Sequence, residues 1–193
     1  LRFHEFHSNE TPSLQALLAY TGIVFKNIAP QNFTPEDFTY AQEHLRITSF
    51  CYGLLRPMDT IKPYRLEGNV TIPELGAENM FDFWQKRLTR PFIQEIIKNG
   101  GILFNLASHE MKSLFDWKLV ENKTRIITPE FKIMKRGKPT TVVIYTKMAR
   151  GAMTRYIIKN RIENPEEIKS FEWEGFHFYK EDTKSGIYTF IQE

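Results

Sequence analysis

Apolar positions along this chain recur with two periods, and proline, glycine and asparagine mark the breaks between them. Phe81, Trp84, Leu88, Phe92, Ile96 and Ile97 follow one side of a helix, the spacing of an amphipathic segment. They predict a helix over 77–99, ended by Asn99-Gly100-Gly101. Pro91 should kink or split it, since proline lacks an N–H and its ring crowds the preceding turn. Thr34-Pro35-Glu36-Asp37 combines a cap, a first-position proline and first-turn acids, so a second helix starts there and runs to about Leu45. Further helices are predicted over 12–20, 108–115, 149–162 and 165–171, the last capped by Asn164.

Strand patterns lie between them. Ile47 to Ser49 is a short β-branched strand, and 102–106 has the unbroken apolar character of a buried one. Segments 125–134 and 140–146 read as paired strands around Arg136-Gly137-Lys138-Pro139, a turn too long for a two-residue hairpin. Segments 174–179 and 186–191 alternate as a closing hairpin. The expectation is a mixed α/β (α+β) fold, a mixed sheet with interspersed helices in a single domain. No glycine-rich phosphate fingerprint follows a strand, so the pattern is neither Rossmann nor P-loop.

Composition narrows the function classes. No apolar run is long enough to cross a bilayer, and one cysteine, Cys51, makes neither an internal disulfide nor a cysteine-rich metal site. Both fit a cytoplasmic protein. Between Phe50 and Tyr52 the cysteine reads as a small packed residue, against the alternative of a thiol activated by Arg46 or Arg56. Of the five histidines only His4 and His7 are close in sequence, and they read as exposed or core-edge residues; no metal or cofactor is expected.

The net charge is only +3, but its distribution is uneven. From Phe131 to Ile162 there is no Asp or Glu, while Lys132, Lys135, Arg136, Lys138, Lys147, Arg150, Arg155, Lys159 and Arg161 are all present. Such a segment presents either a patch that steers a polyanion or a solvated basic face. Lys147 and Arg150 fall at the start of the helix predicted over 149–162, where cations oppose the macrodipole and, with free N–H groups, make an anion site. The alternative is an arginine satisfying loop carbonyls. Gly151 costs that helix about 1 kcal/mol relative to alanine, which suggests close approach by another backbone or by a phosphate.

A second cluster is Arg46, Arg56, Lys62 and Arg65, set among Pro57 and Pro63. Planar guanidinium groups there suit phosphate or carboxylate; pairing with Asp59 and Glu67 is the structural alternative. Tyr52, Tyr64 and Tyr156 are candidates for stacking on bases. No nucleophile or general base is recognisable, so the catalytic residues, if any, are unassigned.

The order of several motifs carries a resemblance. His44-Leu45-Arg46, then Tyr52-Gly53-Leu54-Leu55-Arg56-Pro57-Met58-Asp59, then Pro63-Tyr64-Arg65-Leu66-Glu67, together with Asn105-Leu106-Ala107-Ser108 and Lys147-Met148-Ala149-Arg150-Gly151-Ala152-Met153-Thr154-Arg155, resemble the signature of the YaaA family of bacterial peroxide-stress proteins. The resemblance implies a cytoplasmic protein that binds DNA through a basic cleft and limits iron-dependent damage; with cations as the compatible parts, phosphate contacts should dominate, giving shape or damage preference with little sequence readout. An enzyme for a small phosphorylated or carboxylated substrate is the alternative, and direct iron binding ranks third. The family's opening strand and Ser-Pro-Ala-Lys type turn have no counterpart here, so an N-terminal segment is expected to be missing; a monomer is expected.

Overall fold

The computed structural model describes residues 11–193, so His4 and His7 lie outside the described residues. Among these the helices are α1 (Ala16–Ala19), α2 (Ile23–Ile28), α3 (Pro35–His44), α4 (Met80–Lys98), α5 (His109–Lys112), α6 (Trp117–Lys123) and α7 (Val143–Asn160). The strands are β1 (Leu14–Gln15), β2 (Ile47–Ser49), β3 (Gly53–Leu55), β4 (Thr60–Ile61), β5 (Ile102–Phe104), β6 (Arg125–Lys135), β7 (Lys138–Thr140), β8 (His177–Asp182) and β9 (Ile187–Gln192). This is the expected mixed α/β class. The chain divides into two units, 11–19, 41–102 and 107–124 forming the first and 20–40, 103–106 and 125–193 the second.

In the first unit β1 pairs antiparallel with β4, and β2 with β3. The helix expected over 12–20 is shortened because Leu14 and Gln15 are drawn into pairing with Thr60 and Ile61. Helix α4 begins where Asn79 accepts the Asp82 N–H at 2.9 Å and passes unbroken through Pro91, against the expected split. Pro91 is exposed, so the carbonyl it leaves without a donor one turn earlier lies on a face water can reach. Phe92, Ile93 and Ile96 are buried, whereas Ile97 is 54% exposed and falls off the apolar stripe.

The second unit is built on a sheet ordered β5-β6-β9-β8, with β7 paired to β6. β9 runs parallel to β6 and antiparallel to β8, and Tyr188, Thr189, Phe190 and Ile191 are all buried. A strand covered on both faces needs such an unalternating run. Phe131 on β6 meets the rings of Phe171, Phe176 and Phe190 at 5.5–6.2 Å between centroids, the centre of this unit's core.

Two expectations about 136–146 are corrected. β6 and β7 are joined by Arg136 and Gly137 alone, with Lys135 opposite Lys138. Both turn residues have positive φ, 51° and 73°, as a two-residue turn between twisted strands requires. The chain then becomes helical at Val143 and does not continue as a strand to 146. Val142-Val143-Ile144 has the β-branched composition of a strand, yet Val143, Ile144 and Tyr145 sit 65%, 54% and 43% exposed on the first turn of α7. Tertiary packing of the later turns overrides that local preference.

Helix α2 is one that no sequence pattern predicts. It lies against α7 so closely that a Cβ added at Gly151 would stand 2.2 Å from the Val24 carbonyl oxygen. The glycine therefore marks close approach by another backbone, the first of its two expected roles.

Candidate functional site

The first unit holds the proline-flanked arginines. β2 and β3 form a hairpin whose loop is drawn inward by Ser49, the Oγ of which accepts the N–H groups of Cys51 and Tyr52 at 3.2 and 3.0 Å. Gly53 closes it with φ at 77°, and any Cβ there would strike the Trp84 ring at 2.7 Å. Beyond β3, the Asp59 carboxylate accepts the Arg56 N–H at 2.8 Å. Asp59 thus shapes the backbone turn and pairs with no arginine side chain among the described residues. Within 41–102 this positions Arg46 and Arg56 on one acid from far along the chain, Glu95 of α4.

Arg46 grips Glu95 with two nitrogens, Nε to Oε2 at 2.8 Å and Nη2 to Oε1, and gives its third to the carbonyls of Gln42 and Leu45. Four of its five N–H groups are thereby engaged. Arg56 reaches the same Oε1 at 2.9 Å with Nη2 while remaining half exposed. The hydrogen bond from Arg46 above all, with the charge of both arginines, holds the Glu95 carboxyl below its ordinary value against the effect of burial. Around this triad opens a cleft of about 660 Å³, lined among others by His44, Gln94 and Lys98. Two arginines and a lysine against Glu95 and the rim residue Glu43 leave it net positive.

The remaining residues expected in this cluster are arranged differently. Arg65 is exposed and 3.6 Å from Glu67, the local pairing expected. Lys62 donates its backbone N–H to the Tyr52 hydroxyl at 3.0 Å, and its side chain is half-buried. The Tyr52 and Tyr64 rings pack edge to face at 5.3 Å, and the Tyr64 hydroxyl lies 2.6 Å from Ser49 Oγ. Cys51 is half-buried, and that burial pushes its thiol up, the reverse of activation by a neighbouring arginine.

The second unit holds the basic residues of 131–162. Because α7 begins at Val143, Lys147 and Arg150 lie one and two turns inside it and not at its N-terminus, so they form no helix-terminus anion site. Arg155 donates Nη1 to the carbonyls of Ile28 and Ala29 at 3.2 and 3.0 Å. Ala29 ends α2 with φ at 50°, and the arginine satisfies carbonyls that helix leaves open. Lys159 and Arg161 both meet Asp37, at 2.5 and 2.9 Å. Burial alone would raise that carboxyl, but hydrogen bonds from Lys159, the Thr34 N–H and Arg161 bring it down to about 2. Tyr156 packs edge-on against Phe171 at 5.4 Å.

Two of the expected cations of α7 remain unengaged. Lys147 is exposed, and Arg150 is half-buried, its guanidinium shifted downward by that burial while the charge of Glu130 acts the other way. Neither side chain makes a hydrogen bond or ion pair among the described residues. Three cations of the hairpin join them: Lys135, Arg136 and Lys138 are exposed and likewise have no carboxylate partner among the described residues. The acid-free run was their signal. Nothing local in the sequence announced Glu95 or Asp37, which lie 49 and 122 residues from Arg46 and Lys159.

No group of three or more His, Cys, Asp or Glu residues is arranged to hold a metal ion among the described residues. None of their helices is long and apolar enough to cross a membrane.

Comparison with known proteins agrees with the motif order. A family model described as peroxide stress protein YaaA matches residues 1–182. A UPF0246 protein of Bacteroides thetaiotaomicron is 63% identical over 177 residues, covering 92% of this chain and 69% of the relative. One from Phocaeicola vulgatus is 64% identical over 178 residues, 92% and 70% of the two chains. At greater distance, a UPF0246 protein of Porphyromonas gingivalis is 47% identical over 193 residues, all of this chain and 75% of the relative.

Proposed function

As this chain belongs to the peroxide stress protein YaaA family, we propose that it binds DNA through the cations of its second unit and so limits iron-dependent oxidative damage there. The observation that carries this reading is the set of unengaged cations, Lys135, Arg136, Lys138, Lys147 and Arg150, within a stretch that contains no acid. Cations whose side chains have no partner among the described residues are available to phosphates. Contacts of this kind position a protein on DNA without reading sequence, and the binding they give is salt-dependent because each neutralised phosphate releases counterions.

The iron link follows from the same exchange. Ferrous ions bound to DNA belong to the counterion atmosphere, and a protein lying along the phosphates displaces them with the rest. Peroxide then meets iron in solution and not on the nucleic acid. On this reading Arg46, Arg155, Lys159 and Arg161 hold the elements in place while the unengaged cations make contact. The protein acts in the cytoplasm, as a monomer and without a cofactor.

Fluorescence anisotropy with duplex, bubbled and single-stranded DNA across a salt series tests it. Binding that weakens by about 0.9 log unit per log unit of salt for each phosphate neutralised on duplex supports the reading. Absent or salt-insensitive binding overturns it. The second reading, an enzyme for a small anionic substrate, is favoured by one feature: Arg56 stands half exposed in the cleft, bound to Glu95 through one nitrogen. Calorimetric titration with inorganic phosphate and with a dicarboxylate, repeated on Arg56→Ala, tests that cleft directly.

A further inference from the structure

The turn between β6 and β7 is built against its own stability. A two-residue hairpin with positive φ at both positions favours Asn-Gly, Asp-Gly or Gly-Gly, and here Arg136 occupies the first position at φ 51°. A long side chain with no short polar group to support the left-handed conformation is strained there. The flanking pair adds to this, for Lys135 lies directly opposite Lys138, and like charges across a ladder repel. Neither cost is offset nearby. The acid next along β6, Glu130, is 2.8 Å from Lys132, and none of the three tip cations has a carboxylate partner among the described residues.

The stem beneath the tip is firm. Phe131 is 2% exposed within the aromatic core, and Lys132 and Ile133 pair with Ile191 and Gln192 of β9. Three cations are thus carried on a short rigid ribbon. Backbone strain together with unrelieved charge repulsion points to a ligand that offsets both.

We infer that the Lys135-Arg136-Gly137-Lys138 tip is a phosphate-contacting element for DNA, resting on the DNA-binding reading above and naming the part of the surface that carries it. Arg136 presents the planar fork that matches phosphate, and lysines flank the two turn residues on either side. The first turn position holds a residue suited to binding phosphate where Asn or Gly would suit the fold better. Because the contacts are to phosphates, they favour no base sequence.

Two substitutions separate binding from folding. Arg136→Asn restores a residue suited to positive φ, and Lys138→Glu places a carboxylate opposite Lys135. Each is expected to keep or raise the melting temperature. Each is also expected to weaken duplex binding, with a salt dependence shallower by about 0.9 log unit for each phosphate the variant no longer neutralises. Duplex binding by the parent with unchanged affinity and slope in both variants overturns the assignment of the tip and leaves the DNA reading standing. No duplex binding by the parent overturns both. Co-sedimentation with phosphatidylserine-containing vesicles provides the remaining arm. If the parent binds vesicles and not DNA, and Arg136→Asn abolishes that, the tip belongs to an anionic membrane surface and the present assignment falls.

Discussion

Asp37 receives the Lys159 ammonium at 2.5 Å on Oδ2, the same oxygen that accepts the Thr34 N–H at 2.9 Å. One carboxylate therefore ends a helix and ties it to another. Thr34 returns the bond through its hydroxyl, accepting the Asp37 N–H at 3.3 Å, and Arg161 takes the second carboxylate oxygen at 2.9 Å. Within the second unit the first turn of α3 and the end of α7 are held at this point.

Asp37→Asn should destabilise the protein by about 1.5–3 kcal/mol, the range for hydrogen bonds that involve a charged group. The folded carboxyl titrates near 2, below its ordinary 3.8. Its contribution is present in full above about pH 4 and is lost as pH falls from there toward 2. Urea denaturation at pH 7 and at several values below 4 should show the parent losing stability more steeply than the variant through that window. Equal acid dependence would remove Asp37 from the account.

Glu95→Gln should act in two directions. Arg46 and Arg56 lose their shared acid, and the fold weakens by about 1–2 kcal/mol. The cleft meanwhile becomes more positive, so inorganic phosphate should bind it more tightly than it binds the parent. Because the folded carboxyl lies below its ordinary value, its stabilising effect fades as pH falls below that value. Calorimetric titration at neutral pH reads the binding, and thermal melts from pH 7 down to 3 read the stability.

Gly151→Ala offers a sharp contrast between local and tertiary preference. Helix propensity alone predicts a gain of about 1 kcal/mol. Yet the added carbon would lie 2.2 Å from the Val24 carbonyl oxygen, and backbone cannot swing aside as a side chain can. Overpacking of this kind costs about 1–3 kcal/mol. A net fall in melting temperature is expected, and a rise would mean that α2 can shift at little cost.

Arg155→Met keeps most of the aliphatic stem and removes the donors to Ile28 and Ala29. The Ile28 carbonyl loses this donor and the Ala29 carbonyl is left with the Asn32 N–H at 3.0 Å, so the melting temperature should fall. The salt slope of DNA binding should stay at the parent value, because this guanidinium is engaged in the fold. A slope shallower by about 0.9 log unit would instead make Arg155 a phosphate contact.

What was legible in the sequence was local. Thr34-Pro35-Glu36-Asp37 announced α3 within four residues, and the Asn164 cap was equally readable: its side chain accepts the Glu166 N–H at 3.1 Å. The closing hairpin of β8 and β9 was readable too, but not the alternation expected of its strands: Tyr188 through Ile191 are all buried because β9 lies between two neighbours. Partnerships were not readable, since no local pattern connects Arg46 to Glu95. The segment 140–146 failed in another way. Its β-branched residues suit a strand in isolation, and only the later turns of α7, with Ala149, Ala152 and Met153 buried, decide that it becomes a helix. The hairpin turn was misjudged because Arg136 is an unusual residue for positive φ, and that same departure is what directs attention to the tip as a binding element.

The order of strands has a consequence for how the protein is made. β9 stands between β6 and β8, yet the ribosome produces it after both. Until it emerges, Phe131 lacks the ring of Phe190, and β8 has no neighbour on the side that β9 will occupy. Native pairing in this sheet links segments far apart in sequence, which slows folding and prolongs exposure of sticky surface. The sheet of the second unit is therefore completed only once β9 has been made and can enter between β6 and β8.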